Sequence, residues 1–440
     1  MEVLLEKIKD IDDLLKKRDE EYPVRGPIWH ELEKECVNFF DLLLNELNLD
    51  WTPDHSKVGE INKFIKSPIF ICGPGRSGIT LLAQLLDGHP NLYVMPGDST
   101  YMSRFYNQKW KFNSLAFYWI KRLINPLGQK PFWFFGKSPE KYKQFLLHLK
   151  YFLGQKMEPF LAVVSSMYAT DYNKNNKIKH WVEKTPGNEE YVEVILENFP
   201  KAKFIHIIRD PLENLFFQKK FSSLRNAKFN VNDGAFRIKS LLNLGWKNLD
   251  TFEHECYLIL RYEDLINRLS DSLDMICHFL DINLSESLCI PTVNNIPASS
   301  NSVDKERQKI GKVIKQGGES RWVKYFTEEE KKNIVSILYE TALKSGYPEW
   351  KEEKIKKYRD MNYKKPTKYS LLNIFKKIYS NILLIASILA SLAGFLFFIV
   401  LFFPDFNIFW LILSPIIIAF YQVPAVYLFW LWKKKKNKIE

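Results

Sequence analysis

Pro68-Ile69-Phe70-Ile71-Cys72-Gly73-Pro74-Gly75-Arg76-Ser77-Gly78-Ile79-Thr80-Leu81-Leu82-Ala83-Gln84-Leu85-Leu86 is the stretch from which the fold is read. Its first five residues form a short apolar run of strand length. Its last eight carry leucines at helical spacing, and the two are joined by a glycine-rich turn. Strand, glycine-rich loop and helix in that order place backbone N–H groups and the positive end of a helix dipole at one point, where an anion is stabilised. Ser77 and Thr80 add hydroxyl donors, and Arg76 adds a planar fork matched to phosphate or sulfate oxygens. The spacing from Gly73 to Gly78 imitates the nucleoside-triphosphate loop G-x-x-x-x-G-K-[ST]. The position of its lysine is Ile79, however, so the group that reaches β- and γ-phosphates is missing. The loop suits a ligand with fewer phosphates and no required metal.

Two further apolar runs lie downstream. Ala202-Lys203-Phe204-Ile205-His206-Ile207-Ile208 ends at Arg209-Asp210-Pro211, and Cys256-Tyr257-Leu258-Ile259-Leu260 ends at Arg261-Tyr262-Glu263-Asp264. Short apolar runs separated by helical stretches predict an α/β fold, a doubly wound parallel sheet with helices on both faces and a P-loop-like nucleotide site. The main domain is expected over 66–350, closed by a helix at 328–345. Ahead of it, 1–65 reads as an accessory helical segment. Leu4, Ile8, Ile11 and Leu15 share one face there, and Leu32, Cys36, Phe39, Leu43 and Leu47 share another.

The formal charge of the 440-residue chain is +12, but the last 90 residues hold 15 Lys and Arg against five Asp and Glu, leaving the first 350 near balance. A chain-wide nucleic-acid footprint is therefore not expected. The five cysteines, Cys36, Cys72, Cys256, Cys277 and Cys289, are scattered and contain no C-x-x-C pair. This speaks against a disulfide framework or a zinc site and for a reducing compartment. No secretory signal pattern is visible at the N-terminus. A basic stretch, 351–377, leads into a C-terminal pair of transmembrane helices expected within 378–432. The apolar stretches Asn381–Phe403 and Ile408–Leu431 are each about 23 residues, enough to cross ~30 Å of hydrocarbon. Lys376 and Lys377 precede the first and Lys433 to Lys436, in the basic tail 433–440, follow the second. That charge placement predicts a two-span hairpin with both ends, and the soluble domain, on the cytoplasmic side. A pair of buried core helices is the alternative.

With these residues in view, the chain over about 66–345 resembles the PAPS-dependent sulfotransferase family, closest in motif style to its tyrosylprotein and bacterial branches. The family's phosphosulfate loop, P-[KR]-S-G-T-[TS], is matched by Pro74-Gly75-Arg76-Ser77-Gly78-Ile79-Thr80, with Gly75 inserted and Ile79 replacing a threonine. Leu85-Leu86-Asp87-Gly88-His89-Pro90 is similar to the family's L-L-x-x-H-P. The resemblance implies PAPS as co-substrate, with no metal, held by Gly75, Arg76, Ser77, Gly78, Ile79, Thr80 and Leu81. It implies that Arg209, in the V-R-[DN]-P-like Ile208-Arg209-Asp210-Pro211, binds the 3′-phosphate. The serine that the family places eight residues later is here Phe217. In the E-K-[TS]-P-like Glu183-Lys184-Thr185-Pro186, Lys184 is implied beside the bridging oxygen, where an ammonium neutralises charge developing on the leaving phosphate. Tyr262, in Arg261-Tyr262-Glu263-Asp264-Leu265, is implied near the adenine. Lys312, ten residues before Trp322, is implied at the phosphosulfate, with Lys315 as the alternative.

Sulfuryl transfer to a hydroxyl or amine needs a base in line with the acceptor. By the family's pattern the base falls just after the first helix, where Gly97-Asp98-Ser99-Thr100 offers Asp98; His89 and His180 are the other candidates. His206 lies inside an apolar run and reads as a core residue. Residues 101–180 form an aromatic-rich insertion on the acceptor side, with Phe117-Tyr118-Trp119 and Phe132-Trp133-Phe134-Phe135. Its composition points to a lipid-linked or amphiphilic acceptor and equally fits an ordinary helical cap, so lipid, sugar, peptide and amine acceptors stay open. Two other classes stay open as well: a P-loop kinase or NTPase, which would want the lysine missing at 79, and a non-catalytic membrane scaffold on a degenerate nucleotide fold.

Overall fold

The computed structural model describes residues 2–21, 27–47, 50–53, 55–102, 135, 138–171, 178–299, 302, 309–315 and 321–360. These fall within a compact unit that spans 1–361; a second unit spans 362–440. Both apolar C-terminal stretches lie outside the described residues, as do Phe117-Tyr118-Trp119 and Phe132-Trp133-Phe134 of the insertion. Among the described residues no helix is long and apolar enough to cross a membrane.

Five parallel strands form the sheet: β1 (Pro68–Cys72), β2 (Leu92–Asp98), β3 (His180–Lys184), β4 (Lys203–Ile208) and β5 (Tyr257–Arg261), in the order β2-β3-β1-β4-β5. β1 is central and wholly buried, which is why its sequence reads as an unbroken apolar run. The pleat sends alternate residues into two cores. Phe70, Cys72, Trp181, Phe204 and Tyr257 face one of them, which also holds α1 (Glu2–Glu21), α2 (Pro27–Asn45), α3 (His55–Phe64), α5 (Pro139–Gly154) and α6 (Pro159–Asp171). Their aromatic rings make a row across four strands: Phe70 meets Trp181 edge-on at 5.6 Å and stacks on Phe204 at 5.6 Å, and Phe204 stacks on Tyr257 at 5.9 Å. Ile69, Ile71, Val182, Ile205, Ile207 and Leu260 face the other core. It holds α4 (Ile79–Leu86), α10 (Tyr262–Asn267) and α11 (Leu269–Leu280), while α7 (Val192–Asn198) contributes to the first.

The N-terminal helices form as the periodicity predicts: Leu4, Ile8, Ile11, Leu32, Cys36, Phe39 and Leu43 are all buried against the aromatic face. A third core collects α8 (Pro211–Ser223), α9 (Val231–Cys256), α12 (Trp322–Tyr325), α13 (Glu328–Lys344) and α14 (Glu353–Asp360) around Phe217, Trp322 and Trp350. The closing helix α13 carries a full capping box, with Thr327 and Glu330 satisfying each other's backbone N–H groups. α14 carries the packed chain into the stretch read as a basic linker, because Ile355 and Tyr358 are buried beside Trp350. Beyond the sheet, β6 (Thr292–Val293) and β7 (Ile296–Pro297) make a small hairpin whose turn residues, Asn294 and Asn295, both have positive φ.

Candidate active site

All five strands point their carboxyl ends to one edge of the sheet, the edge at which open α/β sheets hold ligands. The loop after β1 is built for close approach. Gly73 has φ +130°, and a Cβ there would stand 2.2 Å from the Ile207 carbonyl oxygen; Gly78 has φ +111°, and a Cβ would strike the Tyr262 ring at 2.4 Å. Only glycine lets the loop lie on β4 and on the start of α10. Arg76 also adopts the left-handed region, with φ +68°. Gly78 supplies no side-chain cap to α4, so the first-turn N–H groups around Ile79, Thr80 and Leu81 end at the loop.

One face of α8 grips this loop. Asn214 and Gln218 donate from their amide nitrogens to the Gly75 carbonyl at 3.2 and 3.1 Å. Phe221 lies 4.6 Å beneath the Arg76 guanidinium. Phe217, which stands where the resemblance wanted a serine, stacks on Arg209 at 4.2 Å; Tyr262 covers the same guanidinium at 4.5 Å. Arg209 thus lies within cation–π distance of two rings. It donates from Nη1 to the Arg76 carbonyl at 3.3 Å, while Nε and Nη2 are buried without a hydrogen-bond partner; Glu213 comes no nearer to Nη2 than 3.9 Å. Ser77 Oγ, fully buried in the loop, also lacks one. Ser77 Oγ and Arg209 Nε, buried without a partner, are costly unless something else pairs them, and Nη2 has only the Glu213 carboxylate at long range. Their chemistry, cationic and hydroxylic donors, fits the oxygens of a phosphate or sulfate.

Lys184 closes the opposite side. It is buried at the end of β3, donates to Thr80 Oγ1 at 3.2 Å and forms an ion pair with Asp98 at the end of β2. Asp98 reaches it because the β2–β3 register slips between Val94 and Asp98, with Gly97 at φ +69°. The Asp98 side chain stays 38% exposed. The neighbouring Glu183 is fully buried, which pushes its carboxyl above the ordinary range against the hydrogen bonds it accepts. Those bonds come from the Ser99 N–H at 3.1 Å, the Thr185 hydroxyl at 2.6 Å and the Asn188 amide. Thr185 in turn accepts from the Thr100 N–H at 3.0 Å. Glu183 and Thr185 therefore fix the turn that follows Asp98.

A layer of buried acids backs the edge. Asp210 caps α8 through the Glu213 N–H and accepts from Trp350 Nε1 at 2.7 Å; burial pushes it up to about 7. Glu263 accepts from the Asp210 N–H and from the Tyr347 hydroxyl. Glu189 accepts from the Gly73 N–H at 2.9 Å and is likewise raised by burial to about 7.

The histidines do other work. His89 accepts at Nδ1 from the Asn91 N–H and donates from Nε2 to the Asn283 carbonyl at 2.8 Å, fixing the entry to β2. His180 lies at the start of β3, away from the loop-bearing edge, with Nδ1 on the Ser67 carbonyl at 3.2 Å. His206 is buried, pairs through Nδ1 with the Tyr257 hydroxyl at 2.8 Å, and is lowered by burial to about 3. Lys312 and Lys315 are exposed on 309–315, and among the described residues no hydrogen bond or ion pair joins either to the loop. Sequence reasoning had missed Asn214, Gln218, Phe221, Glu183 and Glu189. For the first three a signal existed: with Phe217 they recur at i, i+3, i+4 and i+7 from Asn214, one stripe of a helix. Among the described residues no group of three His, Cys, Asp or Glu side chains could hold a metal ion.

A curated protein of Aquifex aeolicus (strain VF5), described as uncharacterized, is 23% identical over 304 residues, covering 67% of this chain; the chain spans about a third of that relative's length (34%). Among solved structures, the sulfotransferase domain of the Synechococcus PCC 7002 olefin synthase aligns with 17% identity and a TM-score of 0.37, over 67% of this chain and 98% of that one. A mouse sulfotransferase complexed with PAP aligns with 11% identity and a TM-score of 0.34, over 64% and 87%. From β1 through the turn that follows α11, residues 68–286 match the model of the sulfotransferase family.

Proposed function

We propose that the protein transfers a sulfuryl group from PAPS to a hydroxyl or amine of an acceptor. The observation that carries this is the set of buried donors that make no hydrogen bond, Ser77 Oγ in the loop with Arg209 Nε and Nη2, together with a lysine bound at the head of α4. The family match over 68–286 and the isoleucine at 79 favour a sulfonated nucleotide over a triphosphate. In this reading the loop, Arg76 and α4's first turn receive the 5′-phosphosulfate, Arg209 the 3′-phosphate, and the Tyr262 ring borders the base. As the acceptor oxygen or nitrogen bonds to sulfur, the sulfur–oxygen bond to phosphate breaks and its electron pair leaves on the phosphate. Lys184 and Arg76 neutralise that charge, and Asp98 takes the acceptor's proton. We assign the chain to a membrane, through 378–432 as a two-span hairpin with the domain on the cytoplasmic side, and its acceptor to the lipid-linked or amphiphilic class.

The test is thermal stabilisation by PAP against ATP with magnesium, followed by transfer of labelled sulfate from PAPS into lipid and soluble extracts. A ligand at about 100 times its Kd adds roughly 2.7 kcal/mol, a readable shift. A PAP shift with no ATP shift, and label in the lipid fraction, is the expected result. A shift with ATP alone would defeat the sulfotransferase reading, and label confined to water-soluble products would defeat the acceptor assignment.

A further inference from the structure

Glu213 stands in the first turn of α8 and is only 5% exposed. Both its backbone and its side chain are committed. Its N–H donates to Asp210 at 2.9 Å, and its Oε1 accepts from the Arg321 N–H at 3.1 Å, so the carboxylate cannot swing away without releasing the residue before Trp322. Its Oε2 lies 3.9 Å from Arg209 Nη2, inside ion-pair range and outside hydrogen-bond length. Among the described residues it is the one carboxylate that pairs with Arg209. The neighbouring acids accept from other groups: Asp210 from Trp350, and Glu263 from Tyr347 and the Asp210 N–H. Glu213 is not needed to aim the guanidinium, which the Phe217 and Tyr262 rings and the Arg76 carbonyl already support. What it adds is a buried negative charge beside the group assigned to an anion.

We propose that Glu213 is a counter-charge that limits how tightly Arg209 holds the 3′-phosphate. Its contact with Nη2 is Coulombic and not hydrogen-bonded. The carboxylate therefore leaves the N–H groups on Nε and Nη2 to a ligand while lowering the net charge that the ligand meets. A phosphate brought to Arg209 is attracted by the guanidinium and repelled by the carboxylate paired with it, and in a buried setting that repulsion is poorly screened. The consequence is a balance: the nucleotide is recognised by its 3′-phosphate, yet the desulfonated product is free to leave. The inference rests on the assignment of Arg209 to the 3′-phosphate of PAPS and adds the residue that sets the strength of that contact.

Glu213→Gln tests this in the full chain, because the amide still accepts from the Arg321 N–H but carries no charge. Calorimetric titration compares PAP with adenosine 5′-phosphate, which lacks the 3′-phosphate. The variant should bind PAP about tenfold more tightly, with slower release, and adenosine 5′-phosphate within about twofold of the natural protein. In the Arg209→Ala background the same substitution should bring less than half of that gain, since there the repulsion acts without the pair. PAP affinity that is unchanged or weaker in a folded Glu213→Gln chain overturns the proposal and leaves Glu213 as the anchor of Arg321. An equal gain for both nucleotides overturns it too, because the effect would not act at the 3′-phosphate. Should the glutamine chain lose its circular dichroism, Glu213→Asp decides: it keeps the charge but shortens the side chain by one methylene, so PAP should bind about twofold more tightly, and no gain overturns the proposal. A natural chain that binds adenosine 5′-phosphate as tightly as PAP overturns the assignment of Arg209, and this inference with it; a natural chain that binds PAP selectively while Glu213→Gln brings no gain overturns this inference alone.

Discussion

Lys184 and Asp98 end adjacent parallel strands as register partners, and their side chains close an ion pair across the carboxyl edge of the sheet. The pair is asymmetric: Lys184 is buried and also bound to Thr80 at the head of α4, whereas Asp98 is more than a third exposed. One member thus faces the loop and the other the open side of the site. That division matches a charge stabiliser on the donor side and a proton acceptor on the acceptor side. The sheet register, rather than a flexible loop, sets the distance between them.

Replacing Lys184 with alanine should lower kcat by about 10²–10³-fold, the usual effect of removing one group aimed at developing charge. Lys184→Arg should recover only part, because the planar fork is larger than the ammonium that fits between Thr80 and Asp98. Steady-state rates beside circular dichroism decide it: unchanged turnover in a folded Lys184→Ala protein removes Lys184 from the chemistry.

Asp98→Asn should act on turnover more than on PAP binding. Loss of a general base costs about 10²–10⁴-fold in rate, and Asp98 is the partly exposed member of its ion pair with Lys184. Calorimetric titration of PAP beside kcat separates the two. An equal loss in both would make Asp98 a positioning residue for Lys184 instead.

Arg209 offers a different signature. Supported by the Phe217 and Tyr262 rings, with two buried nitrogen atoms that make no hydrogen bond, it is oriented before any ligand arrives. Arg209→Ala should weaken PAP by about 10–100-fold, the worth of charge-assisted hydrogen bonds. Phe217→Ala, which removes only the stacking, should weaken it severalfold, in line with a cation–π contact of about 1 kcal/mol. If PAP affinity is indifferent to Phe217, the stacking does not organise the site.

Much of this was legible in the sequence, and the exceptions have physical causes. β1 and β4 are buried or nearly so and β5 is partly buried, and their apolar runs announce them. β2 and β3 were read only as motifs, because Leu92–Asp98 contains Pro96 and Gly97 and His180–Lys184 ends in two charged residues. Those breaks in apolar pattern coincide with Asp98 and Lys184, the pair proposed for the chemistry, and with Glu183, which orders the turn after Asp98. Phe217 looked like a gap in an anion site, since motif comparison counts hydrogen-bond donors and cannot see a ring supporting an arginine. Glu183 and Glu189 carry no local signal, as what they bind, the Ser99 and Gly73 N–H groups, is 84 and 116 residues away in the chain.

Glu189 also makes a prediction about pH. Burial raises its carboxyl to about 7 from an ordinary 4.5, so its contribution to stability is complete below pH 4.5 and is lost as pH rises through about 7. His206, lowered by burial from 6.5 to about 3, works in reverse: its contribution is present above pH 6.5 and is lost as pH falls toward 3. Between about pH 4.5 and 6.5 the two oppose each other beneath the same loop. Glu189→Gln keeps an acceptor for the Gly73 N–H but cannot ionise, so only the histidine's contribution remains. Relative to the natural protein, its thermal midpoint should improve as pH is raised from 5 to 8. A difference between the two proteins that stays constant over that range would mean that Glu189 does not carry a proton in the folded chain at neutral pH.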